Sequence, residues 1–143
     1  NFDGLFKIKF DDLNNKLIKS GEIDFIVNEK KIIVKEAKFK LDKIGYIHTN
    51  MSFFEDKGDI KFKSKNILHI ENHIEFAKSF QVGSKKIKNV KQVNFDLIKN
   101  YGQTDFLIKN IKINNEENQD KANKIFIVKN IQNLRSYIRE IID

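Results

Sequence analysis

The sequence predicts a mainly β fold: an antiparallel β-meander, with a short mid-chain helix and an amphipathic C-terminal helix packed on the sheet. Three observations predict it. First, the stretch 21–70 divides into four runs, 22–27, 31–41, 44–54 and 59–70. Each is rich in Ile, Val and Phe, which suit a pleated, half-buried surface. Second, the separators Asn28-Glu29-Lys30, Asp42-Lys43 and Glu55-Asp56-Lys57-Gly58 are short and polar, so neighbours in sequence should pair as hairpins. Third, Ile127, Ile131, Leu134, Ile138 and Ile141 recur at the 3.6-residue period of a helix.

Taken in order, residues 5–10 alternate, with Phe6, Ile8 and Phe10 on one face and Lys7 and Lys9 on the other. In 11–20, Leu13, Leu17 and Ile18 fit either a single helical turn or a loop, and Ser20-Gly21 punctuates the entry to the meander. Ile23, Phe25 and Val27 share a face of the next strand. In 31–41, Ile32 and Val34 oppose Ala37, Phe39 and Leu41 in parity, so a bulge near Lys35-Glu36 is expected to bring both sets inward. The run 44–54 has apolar residues of both parities, as a strand between two layers or beside a groove would. Gly58 suits a three-residue hairpin with a G1 bulge, a register that pairs Phe54 with Ile60 and Ser52 with Phe62.

Residues 71–80 break the strand pattern. Ile74, Phe76, Ala77 and Phe80 fit one side of a short helix with Asn72 as its N-cap, and a loop containing Gly83-Ser84 follows. Strands are expected at 91–99 and 104–113, joined by the turn Asn100-Tyr101-Gly102-Gln103. The segment 114–123 is polar and aperiodic and reads as a mobile loop. A helix is expected over 124–142, with 125–128 equally readable as the tail of a strand; Arg135 and Arg139 suit its C-terminal dipole. The expectation is six or seven strands in a single domain or fragment of 143 residues: strand and connector 1–20, β-rich body 21–113, loop 114–123 and helix 124–143. A chain of this size can bury a sizeable core without staples.

Composition narrows the function classes. There is no cysteine, which excludes disulfides, thiolate catalysis and cysteine-based zinc sites. No run approaches the ~18 apolar residues of a membrane-spanning helix. The net charge is +7, and since only Arg135 and Arg139 are arginine, 25 of the 27 basic residues are lysine. An AT-rich genome explains this usage; an anionic partner is the alternative. Scarce arginine and dispersed lysine weigh against specific nucleic-acid binding.

Motifs for chemistry are few. His69 and His73 have the spacing of a helical metal pair, but His69 falls in a strand pattern and His73 beyond it, so no metal site is expected. His48 is the third imidazole. Glu71 with Glu75 and Asp56 with Asp59 read as solvated surface, no serine has a credible His and Asp context, and Gly83-Ser84-Lys85-Lys86 lacks the first glycine of a phosphate loop. Phe6-Lys7, Lys38-Phe39-Lys40 and Lys61-Phe62-Lys63 could form stacking platforms in a basic groove, but strands with one buried and one wet face give the same pattern. No catalytic residue and no cofactor are assigned.

The runs Gly21-Glu22-Ile23-Asp24-Phe25, Ile32-Ile33-Val34-Lys35-Glu36-Ala37-Lys38-Phe39, Ile44-Gly45-Tyr46-Ile47 and Gly58-Asp59-Ile60-Lys61-Phe62, with the terminal Val128-Lys129-Asn130-Ile131-Gln132-Asn133-Leu134-Arg135, carry a family likeness. In them the chain resembles the C-terminal region of AsmA-like proteins, in a divergent alphaproteobacterial form. The resemblance implies a curved, elongated sheet with an apolar groove, a periplasmic location, and a parent protein anchored in the inner membrane. It further implies a non-enzymatic contribution to lipid transport and outer-membrane biogenesis. The lipid-contact candidates are then Ile47, Met51, Phe53, Phe54, Ile60 and Phe62. The partners implied are phospholipid and the remainder of a longer parent chain, with membrane association through an anchor segment outside this chain. Two alternatives stand beside it: a structural or protein-interaction β module without a ligand, and a lysine-rich binder of anionic polymers.

Overall fold

A computed structural model describes residues 4–12, 17–28, 31–116 and 124–142. The expected Leu13 contact, the separator residues Glu29 and Lys30, and most of the loop 114–123 lie outside them. Eight strands form one open, curled antiparallel sheet: β1 (Gly4–Phe10), β2 (Ile18–Asn28), β3 (Lys31–Leu41), β4 (Gly45–Asp56), β5 (Asp59–Ile70), β6 (Gln92–Asn100), β7 (Phe106–Ile113) and β8 (Phe126–Val128). Their spatial order is their order in the chain, and β1 and β8 are the two edges. Among the described residues three helices accompany the sheet: α1 (His73–Phe80) and α2 (Ser84–Ile87) between β5 and β6, and α3 (Ile131–Ile142) after β8.

Because partners across a ladder share a face, the registers sort every strand residue to one side or the other. One row runs Phe10, Gly21, Phe39, Ile47, Leu68, Val93, Ile113 from β1 to β7. A second runs Phe6, Phe25, Val34, Met51, Ser64, Leu97, Ile108, and a third joins Val27, Ile32, Phe53 and Phe62. These rows make a single apolar face. Alternation alone would not achieve this, because β2 changes parity at Lys19 and β3 and β7 change parity midway. The expected bulge in β3 is present: Val34 pairs with Met51 and Ala37 with Thr49, leaving Lys35 and Glu36 together opposite Asn50. A second bulge sits at Asn110 in β7, whose positive φ of 55° lets Ile108 and Ile111 both turn inward and become buried.

The helices cover one end of that face. Phe76 and Ala77 of α1, Ile87 of α2 and the connecting Val82 and Val90 pack with Leu41, Ile44 and Ile70. Ile141 of α3 packs with Ile108, Ile111, Phe126 and Val128, flanked by Leu134 and Tyr137. Asn72 caps α1 as expected, its Oδ1 accepting from the N–H groups of Ile74 at 3.1 Å and Glu75 at 3.2 Å. Asn130 does the same for α3, accepting from Gln132 at 3.0 Å and Asn133 at 2.9 Å.

Five expectations are corrected. The count is eight strands, because β8 forms and because 18–20, read as connector, extends β2. The turn after β4 has two residues, Lys57 (φ 54°) and Gly58 (φ 85°), so Phe53 pairs with Phe62 and Glu55 with Ile60. Positive φ at both central residues is the two-residue type I′ arrangement, whose twist matches the strands. The stretch 84–87 is a short helix rather than loop, since burying Ile87 completes the cluster under α1. Ile74 faces solvent although its spacing suggested the inner side of α1. At the C-terminus the helix starts at Ile131, not near 124: Phe126 and Val128 alternate inward on β8, and the exposed Ile127 and Ile131 match the helical period only by coincidence.

The corner between β3 and β4 ties the meander to α1. The Ile44 carbonyl accepts from the N–H groups of Glu71 at 2.9 Å and Asn72 at 3.0 Å. Gly45 follows with φ of +150°, and a Cβ there would lie 2.1 Å from the His69 carbonyl oxygen. Gly45→Ala is therefore expected to destabilise the fold by about 2–4 kcal/mol, since backbone rather than a flexible side chain must give way. Gly58→Ala, with φ of +85° and open space around it, should cost only about 1 kcal/mol. Urea unfolding of the two variants checks the contrast.

Candidate functional site

The apolar face extends well past the helices. On β1 to β5 it carries Phe6, Ile8, Phe25, Val27, Ile32, Met51, Phe53, Ile60 and Phe62, none of which belongs to either helix-covered cluster. Rings shield each other instead: Phe6 and Phe25 stack with centroids 5.2 Å apart, Phe10 and Phe39 approach to 6.2 Å across Gly21 of the strand between them, and Phe53 and Phe62 to 4.9 Å. The shielding is partial, for Ile8, Ile32 and Ile60 keep 48%, 41% and 49% of their surface exposed. From β1 to β5 there are four inter-strand steps, or ~19 Å.

The centre of the face is polar. Ser64 and Asn66 of β5 are buried there, and the Asn66 amide donates to Ser64 Oγ at 2.9 Å and to the Phe95 carbonyl at 3.3 Å. Beyond this notch lie the side chains that α1, α2 and α3 cover.

Of the six lipid-contact candidates, Ile47, Met51, Phe53, Ile60 and Phe62 fall on the apolar face, and Phe54 does not. The one-residue difference in hairpin register sends Phe54 to the opposite face, where the Lys63 ammonium sits 5.1 Å from its ring centroid. Ile47 packs at the margin of the cluster beneath α1 and α2, so it serves the core. The other four form part of the uncovered area. Ile8 and Ile32 join them there, although hairpin pairing is needed to bring them to the same band.

The opposite face carries lysines and the imidazoles that spacing failed to connect, together with a partly apolar row, Leu5, Ile26, Ile33, Ile98, Leu107 and Ile127, interrupted by Ser52 and Lys63. The pairing of Tyr46 with His69 stacks their rings 4.5 Å apart, and His48 lies edge-on to both, at 5.3 Å from Tyr46 and 5.8 Å from His69. Lys38 Nζ is 4.6 Å from the Tyr46 ring centroid, and Glu36 approaches His48 Nδ1 at 3.6 Å. His73, at the start of α1, is not part of this group. No group of three or more metal-ligating side chains occurs among the described residues, and no described helix is long and apolar enough to cross a membrane.

Comparison of the chain with protein-family models, curated proteins and solved structures finds no match. The functional argument therefore rests on the two faces of the sheet.

Desolvation, and then the charges of His48 and Lys38, hold the His69 imidazole below its ordinary value of 6.5, with Glu71 opposing. The folded chain thus takes up this proton at lower pH than the unfolded chain does. The associated stability is present above about pH 6.5 and is lost as pH falls below that value. Urea midpoints measured downward from about pH 7.5 should decline, and His69→Gln should flatten the decline above about pH 5.5, where carboxylates barely titrate.

Proposed function

We propose that this chain is a non-enzymatic envelope module that holds lipid acyl chains against the uncovered half of its apolar sheet face. The observation that carries the reading is that face itself: a band of Phe, Ile, Val and Met across β1–β5, outside both helix-covered clusters, with Ile8, Ile32 and Ile60 about half exposed. Its span of ~19 Å exceeds the ~15 Å of one leaflet's hydrocarbon, so an extended acyl chain can lie across it. Each methylene withdrawn from water contributes ~0.8 kcal/mol. The mechanism is passive: chains lie on the apolar face while headgroups stay wet at its rim. The likeness to AsmA-like proteins supports a periplasmic setting, in a parent anchored to the inner membrane, and a part in outer-membrane biogenesis.

A second reading has its own support. β1 is an edge strand among the described residues, and an edge strand beside an apolar face suits a protein partner that adds strands and covers both. On that reading the module is structural and carries no lipid.

One experiment separates them. The purified chain is incubated with vesicles of phosphatidylethanolamine and phosphatidylglycerol, repurified and examined by native mass spectrometry with lipid extraction. Bound phospholipid is expected, reduced about tenfold by Ile32→Asp or Ile60→Asp, which place a carboxylate in the acyl path at tolerant, half-exposed positions. Phe54→Asp, on the other face, should leave binding intact. Lipid-free protein, or equal loss with Phe54→Asp, would favour the ligand-free module.

A further inference from the structure

The face opposite the lipid band carries a trough that the lipid reading does not use. A depression of about 760 Å³ over β4–β7 and a neighbouring one of about 470 Å³ share Asn50, Lys65 and Asp96, so they form one continuous channel across the sheet. Lys35, Lys63, Lys65 and Lys109 line it, beside Ile33, Ile67 and Ile98. None of the four belongs to an ion pair among the described residues. The Asp96 carboxylate in the same channel is engaged by Asn110 Nδ2 at 2.7 Å. Four lysines against one carboxylate leave the trough with net positive charge, which attracts anions.

The rest of the lining says which anions. One wall is amide: Asn94 Oδ1 accepts from Gln92 Nε2 at 2.7 Å, and Asn115 Oδ1 accepts from Gln92 Nε2 at 3.0 Å and Asn94 Nδ2 at 3.3 Å. This network fixes a row of side chains that both donate and accept, which matches the vicinal hydroxyls of sugars. Nucleic acid fits less well. Single strands are gripped by open aromatic faces on which bases stack. Here the Tyr46 ring is engaged by His69 and Lys38, and the Phe54 ring by Lys63. Nor is there an arginine for bidentate phosphate contacts, since Arg135 and Arg139 both sit on α3.

We propose that this trough binds an acidic polysaccharide, its carboxylates reaching the lysines and its hydroxyls the amide wall. The site lies on the face opposite the lipid band, so it stands or falls independently of the lipid reading.

The test is calorimetric titration of the lipid-free chain with oligogalacturonate, neutral dextran and oligo(dT). Oligogalacturonate should bind, dextran should not, and oligo(dT) should bind more weakly. Affinity should fall about tenfold between about 50 and about 200 mM salt, and by a similar factor in Lys65→Ala/Lys109→Ala. Asn94→Ala should weaken it several-fold at unchanged salt slope. Lys85→Ala/Lys88→Ala, which removes the same charge elsewhere, should bind as the parent does. Absent oligogalacturonate binding, tighter binding of oligo(dT), or equal losses in the two double-lysine variants would overturn the proposal. Circular dichroism of each variant confirms that the fold is retained.

Discussion

Everything in this fold depends on gathering most of the large apolar side chains of eight strands onto one face. A period-2 strand cannot do this when its sequence changes parity, and three of the strands, β2 at Lys19, β3 and β7, change parity. The bulges at Lys35-Glu36 and at Asn110 reset the alternation where it would otherwise send Ala37, Phe39 and Leu41, or Ile111 and Ile113, into water. The face so formed is larger than three short helices can cover. α1, α2 and α3 dry one end, and the other is left to aromatic pairs that shield each other in part. The helices settle where the burial is greatest, over Ile44, Ile70 and Ile111.

Much of this was legible in the sequence, because it is local. The strand runs, the β3 bulge and the Asn72 cap follow from residue type and parity. What failed was of two kinds. The hairpin register turned on the φ of Lys57, a residue with no intrinsic claim to a left-handed conformation, and one step of slip carried Phe54 to the wrong face. At the C-terminus, Ile127 and Ile131 fitted a helical stripe, and only the pairing of β8 with β7 decides that Phe126 and Val128 are the inward residues. The candidate site was legible in part for the same reason. Phe53, Ile60 and Phe62 could be named from their strands, whereas Ile8 and Ile32 reach that band only through the ladders. The contact of Tyr46 with His69 likewise joins residues far apart in the chain.

The two faces divide the chain's composition between two solvents. Lysine alternates with phenylalanine or isoleucine along parts of β1, β3 and β5. The sheet converts that alternation into an apolar side and a lysine-bearing side separated by the thickness of one backbone. The lysines are spread through the sequence, yet four of them converge on one channel once the strands are aligned. Dispersal in sequence is thus a poor guide to dispersal in space for a meander, where each hairpin folds distant residues into register.

The edge position of β1 among the described residues has a structural consequence of another kind. A closed barrel fixes its strand number, and adding to it means rebuilding the whole. A meander whose neighbours in space are neighbours in sequence, and which ends at an edge strand, can lengthen one hairpin at a time without disturbing the strands already laid down. Such an architecture is free to vary in length by gaining or losing terminal hairpins, while the helix-covered end, with Ile44 and Gly45 locked against the start of α1, stays the same.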